Sequence, residues 1–323
     1  MRHFLDFEKP LAELEGKIEE LKHLSDANLA GPGDLNIADE VARLRDKADK
    51  LLRATYSKLT AWQKTQVARH PERPKALAYV AQLITDFTPL SGDRTFGEDA
   101  AVVAGLGRFN GAPVAVLGTE KGADTDSRVK HGFGMARPEG YRKARRIIEL
   151  AGRFRLPVLT FVDTAGAYPG IDAEARGQAE AIARSIEACL AAPVPFVSAI
   201  IGEGGSGGAI ALASADRVIM LEHSVYAVIS PEGCASILWR DGAHAADAAE
   251  AMQMSAESLR KLGIVDLIVP EPVGGAHRDP EAAVAAVGAA MQDELRGLSG
   301  LAPEALLSQR REKFLAMGRA API

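Results

Sequence analysis

The chain has 323 residues, 47% of them hydrophobic and 25% charged, with a formal net charge of −5. That length fills one large or two small domains, and the composition is that of an ordinary globular protein, which sets aside disorder and a membrane-embedded chain. The acidic balance argues against nucleic acid as the main partner.

The start, MRHFLDFEKP, carries charges where a signal peptide would have an apolar core. No apolar run approaches the roughly 18 residues of a membrane span, so a soluble cytoplasmic protein is expected. Cys189 and Cys234 are the only cysteines and are far apart in sequence. They exclude a disulfide framework and a four-cysteine zinc site within the chain.

Residues 1 to about 70 read as helical. Leu11, Leu14, Ile18 and Leu21 recur at spacings of three and four, as do Ile37, Val41, Leu44, Ala48, Leu51 and Thr55. Ser25 to Asp34 contains Gly31-Pro32-Gly33, so the two helices are predicted to fold back as a hairpin with an a/d-like seam. A two-helix hairpin cannot bury its own face well, and this one is expected to pack on the main domain or on a partner chain. Arg69-His70-Pro71-Glu72-Arg73-Pro74 marks the boundary. Residues 1–70 are thus read as an N-terminal hairpin or assembly region and 71–323 as the main domain. The basic groups of that connector are either solvated or offered to a phosphate-bearing ligand.

From about residue 100 short apolar runs alternate with helical stretches. Strands are predicted at Ala101 to Leu106, Pro113 to Gly118, Leu156 to Asp163, Pro195 to Ile201, Arg217 to Leu221 and Ile264 to Val269. Helices are predicted at Tyr141 to Phe154, Ala173 to Ala192, Ala209 to Ala215, Ala243 to Lys261 and Pro280 to Leu298. Such alternation implies an α/β domain with a largely parallel sheet.

Between these elements lie the stretches that carry chemistry. Lys121 to Gly140 is long, polar and glycine-bearing, as a binding loop would be. Arg142, Lys143, Arg145 and Arg146 then open a helix, either as a solvated face or as a site for a phosphate such as that of coenzyme A. The strand Leu156 to Val162 runs into Asp163-Thr164-Ala165-Gly166-Ala167-Tyr168-Pro169-Gly170, in which Tyr168 is read as a cleft wall or as packing. Ligands gather at the carboxyl ends of strands in open α/β sheets, so this turn and the next glycine loop are expected to line one cleft.

That loop lies in PVPFVSAIIGEGGSGGAIALA, residues 193–213: a buried-strand run, a glycine turn and a helix start. Bare backbone N–H groups at a helix N-terminus favour an anion or a developing oxyanion. Three readings overlap here. Gly202, Gly204 and Gly207 satisfy G-x-G-x-x-G with Glu222 further on, as in a dinucleotide site. Gly204, Ser206 and Gly208 satisfy G-x-S-x-G, with Asp216, Asp266, His223 and His277 following as triad partners. A tight turn with close strand–helix packing is the third. Farther on, Glu232 in Ile229 to Cys234 is a general acid or base if buried, and Pro272 to Arg278 is placed to close the cleft.

The blocks FLDFEKPLAELE, ARHPERP, GFGMARPEGYRKA, DTAGAYPG, IGEGGSGGAIAL, VISPEGCASILW and PEPVGGAHRD, in this order, resemble the alpha subunit of bacterial acetyl-coenzyme A carboxylase carboxyltransferase nearly end to end. The family usually has Pro where Ala165 stands. The resemblance implies a crotonase-like (ClpP/crotonase) fold of repeated ββα units. It also implies half of an enzyme that moves the carboxyl group of carboxybiotin, held on a separate carrier protein, to acetyl-CoA to give malonyl-CoA for fatty acid synthesis. The implied partners are a zinc-ribbon-bearing beta subunit, the biotin carboxyl carrier protein and biotin carboxylase, in an α2β2 assembly with no metal in this chain. Carried onto this sequence, Gly207 and Gly208 are backbone oxyanion donors. Gly204, Gly205, Gly166 and Tyr168 shape the biotin and substrate site, and Ser206 and Glu232 are structural. The alternative is a self-contained crotonase-like acyl-CoA hydratase or serine hydrolase, in which Glu232 or Ser206 would be essential.

Overall fold

Among the described residues, 3–26 and 34–319 of the computed structural model, eight strands form one mixed sheet. They are β1 (Ile84–Pro89), β2 (Val102–Phe109), β3 (Ala112–Thr119), β4 (Val158–Thr164), β5 (Phe196–Gly205), β6 (Arg217–Leu221), β7 (Val225–Ala227) and β8 (Leu267–Val269). The order is β1-β2-β3-β4-β5-β6-β8, with β7 pairing the end of β5. Strands β1 to β3 form an antiparallel meander, and β3, β4, β5, β6 and β8 run parallel.

Strands β4 and β5 are buried along their whole length because helices cover both faces of the sheet. Alternate residues serve alternate faces. Val158, Val162, Phe196 and Ile200 meet Ile147, Ala181 and Leu212, from the helices Pro138–Phe154, Gln178–Ala191 and Ser206–Ala213. Leu159, Phe161, Val197 and Ile201 meet Tyr79, Val284, Val287 and Met291, from Ala76–Leu83 and Pro280–Leu298.

Several elements differ from the sequence reading. Strand β1, ITDFTP, has one buried residue and lies at the sheet edge, so it carries no apolar run. The stretch read as one helix from Ala173 breaks at Gly177, which has φ 81°. The stretch from Ala243 is three short pieces: Gly242–His244, Ala245–Ala251 and Ala256–Lys261. A last helix, Pro303–Ala316, was not anticipated. It is held by Arg310, fully buried, which donates to both Asp216 oxygens at 2.8 Å and to the carbonyls of Cys189 and Ala192 at 2.6 and 2.8 Å.

The N-terminal helices Lys9–Asp26 and Asp34–Tyr56 pack through Leu11, Leu14, Ile18, Val41 and Ala48, four of them on the anticipated apolar stripe and Ala48 with them. Gly31-Pro32-Gly33 lies outside the described residues. The hairpin base rests on its own chain. Arg278 donates to Glu15 at 2.9 Å and to Glu8 at 3.3 Å, and the Tyr56 hydroxyl donates to Glu8 at 3.0 Å.

Candidate active site

The anticipated five-residue glycine loop is shorter in the structure. Gly202 to Gly205 are the last residues of β5, and the helix Ser206–Ala213 begins at once. The change of direction falls on Ser206, whose φ of 54° lies in the left-handed region. Two of the glycines answer close approaches. A Cβ on Gly205 would lie 2.2 Å from the Ala165 carbonyl oxygen, and one on Gly208 would lie 2.7 Å from the Gly166 carbonyl carbon and 2.9 Å from Ala167 N. The turn after β4 and the helix start after β5 are therefore in backbone contact, as the parallel pairing of Thr164 with Gly204 requires. The two loops share one site, and Gly166, Gly204, Gly205, Gly207 and Gly208 belong to it.

No side chain caps the Ser206 helix. Its first N–H groups are the positive end of a dipole with no built-in anion. Ser206 and Gly207 are half-buried and Gly208 is buried. Opposite them, the buried Thr164 hydroxyl donates to the Gly166 carbonyl at 2.8 Å and accepts from the Gly166 N–H at 3.1 Å. Anchoring that carbonyl sets the plane of the Gly166–Ala167 peptide. Thr164 has no motif signal of its own, and the sequence reading passed it over. Tyr168 is half-exposed, with the Arg137 guanidinium 4.1 Å over its ring and its N–H donating to the Ala136 carbonyl at 3.0 Å. It is both wall and packing.

Behind the turn lies a chain of charges that was not foreseen. Lys121 bridges Asp163 (2.8 Å) at the end of β4 and Glu203 (3.1 Å) near the end of β5. Arg69 pairs with Glu203 at 2.6 Å and Glu232 at 2.5 Å, and the Glu203 N–H donates to Asp163 at 2.9 Å. Burial would raise the Asp163 pKa, but Lys121 and Lys75 lower it below its ordinary value. Glu232 behaves alike: desolvation opposes its charge, and the Arg69 hydrogen bond wins and lowers its pKa. Glu232 is thus half of an ion pair rather than a buried acid.

The competing motif readings find no support at this site. The Glu222 carboxylate accepts the Glu271 N–H. Asp216 pairs with Arg310 and Asp266 with Lys313. His223 sits against Tyr56 and His277 stacks on His70 at 3.7 Å, near the hairpin base. No triad base reaches Ser206. The Pro272–Arg278 segment, expected to close the cleft, instead carries Arg278 to the hairpin base. The helix-opening cations are likewise taken: Arg142 donates to the Arg176 carbonyl, Lys143 to Glu98 and the Asp99 carbonyl, Arg145 to Glu149, and Arg146 to carbonyls of Leu90, Ser91 and Gly92. No cluster of three or more metal-ligating side chains occurs among the described residues, and no described helix is long and apolar enough to cross a membrane.

Comparison with solved structures places this arrangement in a fold. The chain superposes on a subunit of transcarboxylase 12S with a TM-score of 0.54 and 19% identity, covering 66% of this chain and 41% of that one. It superposes on the beta subunit of Pseudomonas aeruginosa geranyl-CoA carboxylase at 0.54 and 19%, covering 77% and 46%. For a Pseudomonas malonate decarboxylase hetero-dimer the values are 0.55 and 19%, covering 67% and 87%. The fold is crotonase-like. Among curated proteins, the acetyl-coenzyme A carboxylase carboxyl transferase subunit alpha of Acidiphilium cryptum is 69% identical over all of both chains. That of Paramagnetospirillum magneticum is 65% identical over 98% of this chain and 99% of its own. The family model described as acetyl co-enzyme A carboxylase carboxyltransferase-like matches residues 4–318, and the chain belongs to that family of carboxyl transferase alpha subunits.

Proposed function

We propose that this chain forms the biotin-side half of a site that makes malonyl-CoA from acetyl-CoA. The observation that carries the reading is the contact between the Thr164–Ala167 turn and the uncapped start of the Ser206 helix. The residues fit a cyclic urea such as biotin: a cradle that a Cβ at Gly208 would fill, and free N–H groups at the positive end of a helix. Biotin, when bound on its carrier protein, supplies the carboxyl group to be transferred. Gly207 and Gly208 offer backbone N–H donors to an oxygen on which negative charge develops, and Gly166 and Gly205 keep side chains out of the approach. Thr164 holds the facing peptide, and Tyr168 bounds the cleft. Transfer requires no protein nucleophile, so Ser206 serves the backbone turn.

The proposal includes a zinc-ribbon-bearing beta subunit that completes the acetyl-CoA side, a biotin carrier protein and biotin carboxylase, in an α2β2 arrangement in the cytoplasm. Residues 1–70 act as the assembly region. The test is malonyl-CoA decarboxylation with free biotin, comparing this chain alone with this chain plus a beta subunit. Activity confined to the mixture, and retained by Ser206→Ala, is expected. Full activity of the lone chain, or its loss on Ser206→Ala, would overturn the reading in favour of a self-contained hydratase or hydrolase.

A further inference from the structure

Ala165, next to Gly166 in the turn, also lines a cleft of about 440 Å³ together with Arg69, Lys75, Lys121, Arg128 and Phe133. Four cations meet three carboxylates there. Asp163 and Glu203 take Lys121, and Glu203 and Glu232 take Arg69. Lys75 is left with a hydrogen bond to the His70 carbonyl and a 3.9 Å approach to Asp163. The Arg128 guanidinium makes no hydrogen bond or ion pair among the described residues. Burial, together with the charges of Lys121, Arg73 and Arg128, lowers the Lys75 pKa even against Asp163. The cleft thus holds positive charge that its own acids do not answer.

Phe133 stands beside these cations, 51% exposed. Its φ of 56° is unusual for an aromatic residue, and it is set between Gly132 and Gly134. The fold thus holds an apolar ring open to solvent next to unspent cations. An aromatic face stacks on a base, and guanidinium and ammonium groups take phosphate oxygens.

We propose that this cleft binds the phosphorylated nucleotide end of a coenzyme A thioester, with its phosphates among Lys75, Lys121 and Arg128 and its base against Phe133. The source of the nucleotide, though not its chemistry, rests on the reading above of acetyl-CoA as acceptor.

The test is calorimetric titration of adenosine 3′,5′-bisphosphate into the full chain and into its complex with the beta subunit, with ADP, malonate, coenzyme A and dephospho-coenzyme A as further probes. Loss of a charge-assisted hydrogen bond in Arg128→Glu is expected to weaken the bisphosphate about tenfold or more. Loss of stacking in Phe133→Ala is expected to weaken it by roughly fivefold or more. Arg145→Glu, which alters a surface ion pair with Glu149 outside the cleft, is expected to bind as the parent does and controls for net charge. Coenzyme A is expected to bind more tightly than dephospho-coenzyme A.

No bisphosphate binding, or binding indifferent to both variants, overturns the proposal. Malonate binding as tightly as the bisphosphate and unaffected by Phe133→Ala would make the cleft a carboxylate site instead. ADP matching coenzyme A would assign it to free nucleotides. Bisphosphate binding lost in both variants, in a complex that fails to decarboxylate malonyl-CoA, would support the cleft and count against the reaction.

Discussion

Replacing Gly208 by alanine tests whether the contact between turn and helix makes the oxyanion site. The added Cβ would sit 2.7 Å from the Gly166 carbonyl carbon, 2.9 Å from Ala167 N and 3.0 Å from the Gly166 oxygen. All three are backbone atoms and cannot rotate aside, so helix start and turn must part by several tenths of an ångström. Overpacking of this kind costs about 1–3 kcal/mol, while alanine in place of a helical glycine returns roughly 1 kcal/mol. Stability should therefore fall little. Catalysis should suffer more, because misplacing one oxyanion donor costs on the order of 10²–10³ in kcat.

Gly207→Ala is the control. Its Cβ would meet only the Ile182 side chain, at 3.4 and 3.5 Å, and kcat should stay within about threefold of the parent, under 1 kcal/mol of barrier. The assay is carboxyl transfer by the assembled enzyme at saturating substrate, beside a thermal melt of each variant. Parental kcat in Gly208→Ala, or equal losses in both variants, would refute the reasoning.

Thr164→Val should lower kcat with little change in KM and Thr164→Ser should restore it, since the buried hydroxyl serves both the N–H and the carbonyl of Gly166; stranding such groups costs about 1–3 kcal/mol. Arg310→Met leaves Asp216 buried without its charge partner and should cost about 3–5 kcal/mol in denaturant unfolding, with activity retained well below the midpoint. His277 is the pH-sensitive element. Burial, with His70 and Arg73 nearby, depresses its pKa from 6.5 to about 3, so as pH falls below 6.5 the unfolded chain takes up a proton that the folded one refuses. Its contribution is intact above pH 6.5 and lost at up to about 1.4 kcal/mol per pH unit toward pH 3. His277→Gln should flatten the stability profile between pH 6 and 4; an unchanged slope there would contradict the assignment. Glu271, lowered to about 2 through Arg73 against its own burial, adds acid sensitivity only below about pH 4.5.

The sequence alone determined the strands and turns that bear the site. Runs such as Val158 to Val162 and Phe196 to Ile201 are apolar on both faces, a local signal of strands buried under helices. The glycines beyond them mark where backbone must meet backbone. The hairpin stripe was legible for the same reason, since Leu11, Leu14 and Ile18 share one helix face. Tertiary structure alone decided what those signals do not encode. Whether Gly202 to Gly205 form a loop or a strand end depends on pairing with Thr164 and with β7. Strand β1 has no pattern because its role at the edge comes from β2, not from burial. The charges that flank the site, Arg69, Lys121, Asp163 and Glu203, come from four separate segments, and each alone reads as a solvated residue or a turn acid. Periodicity records a residue's relation to its near neighbours along the chain. The partners of a buried charge are set by the crossovers that bring distant strand ends together, and only the folded sheet contains that information.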